Sequence, residues 1–197
     1  MSLKIGLLSD GDIPVIDTAY TSSMFKLLGS LDVSLRTTGL TEIESIAIQS
    51  YIDLINNGIT HPKAVDIYCP WVTKSKRIFP WFKQYHNMNL DVFNQTAVVV
   101  RNCVSPSWDR CNMRHRQFQA NSVLILLGSK LNEPLDVLLV QSSGSKTSQL
   151  SLDVTIRMAG YLKIPVVNII DDQGIQELTN VLGSKLPLTL DRNPLLI

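Results

Sequence analysis

Apolar residues along this chain alternate between short unbroken runs and helically spaced stripes, and that alternation assigns most of the elements. Residues 4–9 (KIGLLS) form an apolar run closed by the turn signal Ser-Asp-Gly-Asp and predict a first strand. Pro14 suits the first turn of a helix, with an imperfect stripe of Val15, Ile16, Ala19, Phe25, Leu27 and Leu28 ending near Gly29. Residues 33–37 predict a second strand. Thr41 and Glu44 then have the spacing of a capping box, Thr41 capping a backbone N–H while Glu44 reaches back to the cap. Ile43, Ile46, Ala47, Ser50, Tyr51 and Leu54 follow at helical spacing, and Gly58 stands where a helix of that length ends.

Residues 64–69 (AVDIYC) predict a third strand, stopped by Pro70 and followed by the irregular PWVTKSKRIFPWF. Residues 96–100 (TAVVV) have strand propensity, and their neighbours leave the assignment open. Residues 108–127 predict one or two helices, polar first and apolar later. Residues 136–141 (DVLLVQ) are a near-continuous apolar run of the kind buried on both faces of a sheet. SSGSKTSQLS follows, then a helix over residues 152–162, a last strand over 165–170 (PVVNII) and a closing helix over 172–182.

This order predicts an α/β fold: a Rossmann-like, mostly parallel sheet flanked by helices. Residues 1–197 are expected to form a single domain, with a helical insert at about 72–130 and a C-terminal tail at about 184–197. Leucines in the tail suggest packing on the body or on a second copy, so a homo-oligomer is expected.

Composition narrows the classes. Apolar residues make up 45% and charged residues 18%, which fits a globular chain, and 197 residues suffice for a full core. The net charge of +1 demands neither nucleic acid nor a membrane surface. No apolar run has membrane-spanning length and the N-terminus lacks a signal-peptide stretch, so a cytoplasmic protein is expected. Three cysteines without a CxxC pair predict no metal: Cys111 and His115 are four apart, but zinc needs more ligands than that pair. No cofactor is expected.

In an open parallel sheet, ligands bind beyond the carboxyl ends of the strands, which selects the loops after each predicted strand. The first candidate is Arg36, Thr37, Thr38, Gly39 and Thr41, where a helix N-terminus and hydroxyls suit an anion. Thr41 serving only as a helix cap is the competing reading. The second candidate is Ser142, Ser143, Gly144, Ser145, Lys146, Thr147 and Ser148, which has the composition of an anion cradle but not the GxxxxGK[ST] spacing. A solvated serine-rich loop stands beside that reading. Arg110, Arg114 and Arg116, with Lys74, Lys76 and Arg77 and interleaved tryptophans, suit single-stranded nucleic acid; a solvated helix face or an interface would carry the same pattern. His61, His86 and His115 have no evident acidic or nucleophilic partner. Glu44, beside the first candidate loop, is the one carboxylate offered for catalysis.

Several stretches come in a particular order: Arg36-Thr-Thr-Gly39-Leu-Thr-Glu-Ile-Glu44, Ile67-Tyr68-Cys-Pro70-Trp71, Pro106-x-Trp108, Leu127-Gly128, Asp136-Val-Leu-Leu-Val and Ile164-Pro165-Val-Val-Asn168-Ile. In that order the chain resembles the SLOG superfamily over roughly residues 3 to 170. Its Rossmann-like members include DNA-processing proteins and cytokinin-activating hydrolases. The closest likeness is to the small stand-alone forms carried by bacteriophages.

The resemblance implies a nucleotide-derived ligand, Asn168 as a retained site residue, and, for a viral form, sequestration of a host immune signal. The chain departs from the family at both glycine-rich signatures. Thr38 and Leu40 flank the single Gly39, Glu42 replaces a later glycine, and Glu44 stands where an aspartate is usual. Gln149-Leu150-Ser151-Leu152 replaces the Gly-Gly-Thr of the later helix. Glycines there let backbone approach a phosphate, so their loss implies an altered site and favours binding over catalysis. The alternatives are a nucleotide N-glycosidase using Glu44, and a protein that binds a host factor or single-stranded nucleic acid.

Overall fold

A computed structural model describes residues 3–10, 17–68, 90–104, 108–143, 150–170 and 172–183. Its strands are β1 (Lys4–Ser9), β2 (Ser34–Thr37), β3 (Val65–Ile67), β4 (Val137–Gln141) and β5 (Val166–Asn168). They form one five-stranded sheet in the order β3-β2-β1-β4-β5. Every pairing is parallel; β1 lies beside β2 through Ile5–Leu35 and beside β4 through Ile5–Val137. A parallel ladder needs crossovers, and the helices supply them.

Side chains alternate across the pleat and divide the core in two. Ile5, Leu7, Val137 and Leu139 face α1 (Thr18–Ser30), α2 (Glu42–Asn56) and α6 (Asp172–Gly183). Leu8, Leu138 and Val140 face α3 (Leu90–Cys103), α4 (Met113–Leu127) and α5 (Leu150–Tyr161). All five residues of β4 are buried, as its unbroken apolar run requires. The sheet is thus covered on both faces, as the sequence pattern predicts for a Rossmann-like α/β fold.

Local signals explain most element ends. Asp17 caps α1, its Oδ1 accepting from the Tyr20 N–H at 2.8 Å. The helix therefore begins later than Pro14 suggests; Pro14, Val15 and Ile16 lie outside the described residues. Gly58, at φ +69°, closes α2 in the left-handed region that favours glycine. The Ile59 N–H donates to the Leu54 carbonyl at 2.9 Å across that turn.

Residues 96–100 are helical, part of α3, despite their strand propensity. Thr96, Ala97 and Val100 fall on one helix face and are buried against the α4 and α5 side of the core, so packing overrides β-branched preference. Residues 108–127 resolve into a short 3-10 turn (Trp108–Arg110) and α4, capped by the Asn112 Oδ1. Its polar start is exposed, and residues 120–126 are buried. Among the described residues no helix is long and apolar enough to cross a membrane. The tail at 184–197 and the segment at 69–89 lie outside the described residues.

Candidate functional site

The strand order reverses at β1, which has β2 on one side and β4 on the other. That reversal opens a crevice beyond the carboxyl ends of the strands. Beside it lies a small open cleft of about 40 Å³. Ser9, Thr38, Thr41 and Glu44 line it from the ends of β1 and β2 and the start of α2, with Leu8 and Leu40 between them. Phe118 of α4 and Leu152 and Thr155 of α5 form the opposite wall.

Glu44 organises the first wall. Its side chain is 1% exposed. Oε1 accepts from the Ser9 N–H at 3.2 Å. Oε2 accepts from the Leu40 N–H at 2.8 Å and from the Thr38 hydroxyl. One carboxylate thus ties the end of β1, the loop 38–41 and the first turn of α2 into one unit. Burial pushes its pKa above the usual carboxylate value, against the lowering effect of the Thr38 hydroxyl and of the Leu40, Ser9 and Thr41 backbone donors. Gly39 lets the chain turn between Thr38 and Leu40, at φ +69°.

The capping box is half realised. Glu44 reaches back to the Thr41 backbone, but the Thr41 side chain makes no cap bond. Among the described residues the buried Thr41 Oγ1 has no hydrogen-bond partner.

Other candidates divide sharply. Arg36 turns to the amino end of the sheet, away from the cleft, and is 3% exposed. Its guanidinium donates to the Glu133 carbonyl at 2.6 Å and to Glu133 Oε2 at 3.1 Å, with Asp66 at 3.9 Å. Thr37 is fully buried, its hydroxyl donating to the Leu7 carbonyl at 2.9 Å. Thr38 is the candidate hydroxyl of this strand end that reaches the cleft. Sequence position alone could not separate these neighbours, because alternate strand residues face opposite sides.

Asn168 clamps the start of the second loop. Its Nδ2 donates to the Ser142 carbonyl at 2.8 Å, and its Oδ1 accepts from the Ser142 N–H at 3.2 Å. Ser143 is exposed; Gly144, Ser145, Lys146, Thr147 and Ser148 lie outside the described residues. Asn168→Ala is expected to cost about 1–2 kcal/mol and to speed amide exchange at Ser142, measured by hydrogen–deuterium exchange. Unchanged exchange at Ser142 would remove the clamp role.

Ser9 links the two loops; topology selects its own loop, residues 9–12, from the sequence, but no local signal gives Ser9 this role. Its backbone N–H serves Glu44, while its Oγ donates to Gln141 Oε1 at 3.0 Å and to the Asp10 carbonyl at 3.1 Å. Asp10 and Gln141 are both buried beside it. The turn signal after β1 marks this end of the sheet, but nothing local marks Phe118, Leu152 or Thr155. They join the site only through packing.

The basic segment is partly committed to structure. Arg116 holds the 3-10 turn, donating to the Trp108 carbonyl at 3.0 Å and to the Asp109 carbonyl at 2.5 Å. Arg101 pairs with Asp109 at 2.6 Å, and its hydrogen bond lowers that carboxyl's pKa. Arg114 is exposed; the Arg110 side chain and residues 74–77 lie outside the described residues. His61 caps a short turn, its Nδ1 accepting from the Lys63 N–H at 3.0 Å; His86 also lies outside. Among the described residues no group of His, Cys, Asp and Glu is placed to hold a metal. Comparison with family models, curated proteins and solved structures finds no significant match to the chain.

Proposed function

We propose that this chain is a SLOG-like binder of a nucleotide-derived small molecule. The observation that carries the reading is the cleft at the carboxyl edge of β1 and β2, beside the strand-order reversal and at the N-terminus of α2. Ligands of doubly wound sheets occupy that place, and a mixed lining of apolar side chains and hydroxyls is what small-molecule sites present. The likeness to stand-alone bacteriophage SLOG proteins extends the proposal to sequestration of a host nucleotide signal.

Glu44 is a positioning residue in this reading, not a general acid or nucleophile. Both of its oxygens already accept hydrogen bonds from the protein, and the side chain is buried. A glycosidase carboxylate must reach the sugar. The commitment of Arg101 and Arg116 to the 108–110 turn leaves less of the basic segment for nucleic acid.

Native mass spectrometry of gently purified protein, followed by calorimetry against mono-, di- and cyclic nucleotides, tests the proposal. The expected result is a retained nucleotide, or titration with a Kd on the order of micromolar, near −8 kcal/mol. An empty protein that binds no member of the panel would overturn it.

A further inference from the structure

Glu44 sits at the cleft end of α2; the opposite end of the same helix carries a reactive dipeptide. Asn57-Gly58 is the one Asn-Gly pair in the chain. Both residues are exposed, and a Cβ placed on Gly58 would meet nothing within 4 Å. The side-chain amide carbon of an asparagine can be attacked by the backbone nitrogen of the next residue. Glycine, which has no Cβ, hinders that attack least.

The fold holds the two groups apart. Ring closure needs the Gly58 nitrogen to eclipse the Asn57 Cβ about the Cα–C bond. At Asn57 ψ is 3°, which turns that nitrogen away from the Cβ. The Gly58 N–H donates to the Ile55 carbonyl at 3.0 Å, and Asn57 Nδ2 donates to the Asp53 carbonyl at 2.9 Å. Both bonds must break before the reaction can start. They lie at an exposed helix end, where local opening takes little free energy.

We propose that Asn57 is a self-modification site gated by opening of the turn that ends α2. In the open turn the Gly58 nitrogen bonds to Asn57 Cγ, the Cγ–Nδ2 bond breaks, and the Gly58 proton leaves with Nδ2 as ammonia. Water then adds to either carbonyl of the five-membered imide and opens it to aspartate or isoaspartate. Either product removes the donor to the Asp53 carbonyl. It also places a carboxylate at the C-terminal end of a helix, against the dipole and four residues from Asp53. The modified turn therefore opens more readily than the original.

Peptide mapping of the full chain, held in mildly alkaline buffer with and without guanidinium chloride, reads conversion as a gain of about 1 Da on the peptide containing Asn57. Hydrogen exchange at the Gly58 amide measures the opening independently. Conversion is expected in the folded chain, slower than in denaturant by a factor that matches the Gly58 protection within about threefold. Asn57→Asp is expected to speed exchange at Gly58 and Ile59 by about three- to tenfold. Two results would overturn the proposal: no conversion in the folded chain over the time that the protection allows, or conversion at the denatured rate while the Gly58 amide stays protected. Unchanged exchange in Asn57→Asp would overturn the loosening of the turn by its own product.

Discussion

Glu44→Ala is expected to lower stability by about 3 kcal/mol, because it leaves several buried donors without an acceptor. The Ser9 and Leu40 N–H groups and the Thr38 hydroxyl all converge on this carboxylate. For a chain of this size the thermal midpoint would fall by roughly 6–12 °C. Glu44→Gln keeps one acceptor oxygen but turns an amide N–H toward groups that themselves donate, so about half that loss is expected. Urea unfolding of the three proteins measures both values. A Glu44→Ala variant as stable as wild type would remove Glu44 as the tie between β1, the 38–41 loop and α2.

The same residue predicts a pH dependence of definite sign. Burial raises the folded pKa of Glu44 above its ordinary value of 4.5. Between those two values the folded chain holds a proton that the unfolded chain has released. Stability from this group is therefore full below 4.5 and is lost as pH rises through the folded value. The stability of wild type relative to Glu44→Gln should increase as neutral solution is acidified, with other carboxylates cancelling in the difference. A relative stability that falls on acidification would mean that the donors outweigh burial and hold the carboxyl low.

Gly174→Ala is expected to be comparably damaging, by about 3 kcal/mol or more, for a steric reason. A Cβ at position 174 would lie 1.6 Å from the Asn168 carbonyl oxygen and 2.7 Å from its carbon. Both are backbone atoms, so α6 must separate from the end of β5 to admit a methyl group. That strand end is also where Asn168 holds Ser142, so Ser142 amide exchange should quicken with the loss of stability. Gly160→Ala is the control. No atom lies within 4 Å of its added Cβ, and the site is in α5, so a gain of about 0.5–1 kcal/mol is expected. Equal midpoints for the two variants would sink the close-approach argument.

Gly174 shows how legibility differs between levels. In the sequence it reads as an ordinary small residue at the start of a helix, whereas the β5–α6 approach that makes it necessary appears only when both elements are placed. Thr96 to Val100 shows a related limit: four of these five residues are β-branched and favour strands locally, but Thr96, Ala97 and Val100 are buried on one face of α3. Gly58 and the buried run of β4 were legible because their causes are local, a positive φ and unbroken hydrophobicity.

The candidate site divides along the same line. Topology alone selects the loops after β1, β2, β3 and β4, since ligands of such sheets gather at the carboxyl ends. Thr38 and Glu44 were named there from the sequence, and the structure puts both in the cleft wall; Asn168, named from the resemblance, ends β5 and holds Ser142. Arg36 was offered as a ligand charge beside the alternative that a strand residue just before the turn points elsewhere; the structure has it meet Asp66 and Glu133, 30 and 97 residues away in the chain.

The sequence by itself determined the alternation of strands and helices, and through it the parallel sheet and the position of its carboxyl edge. Those features follow from period and run length, which are properties of neighbouring residues. Only the tertiary structure decided that Glu44 faces inward as a shared acceptor, that Arg36 leaves the site, and that Phe118 and Thr155 complete the cleft. Each depends on which side chains meet across separate elements, and burial and hydrogen-bond satisfaction decide that over the whole fold.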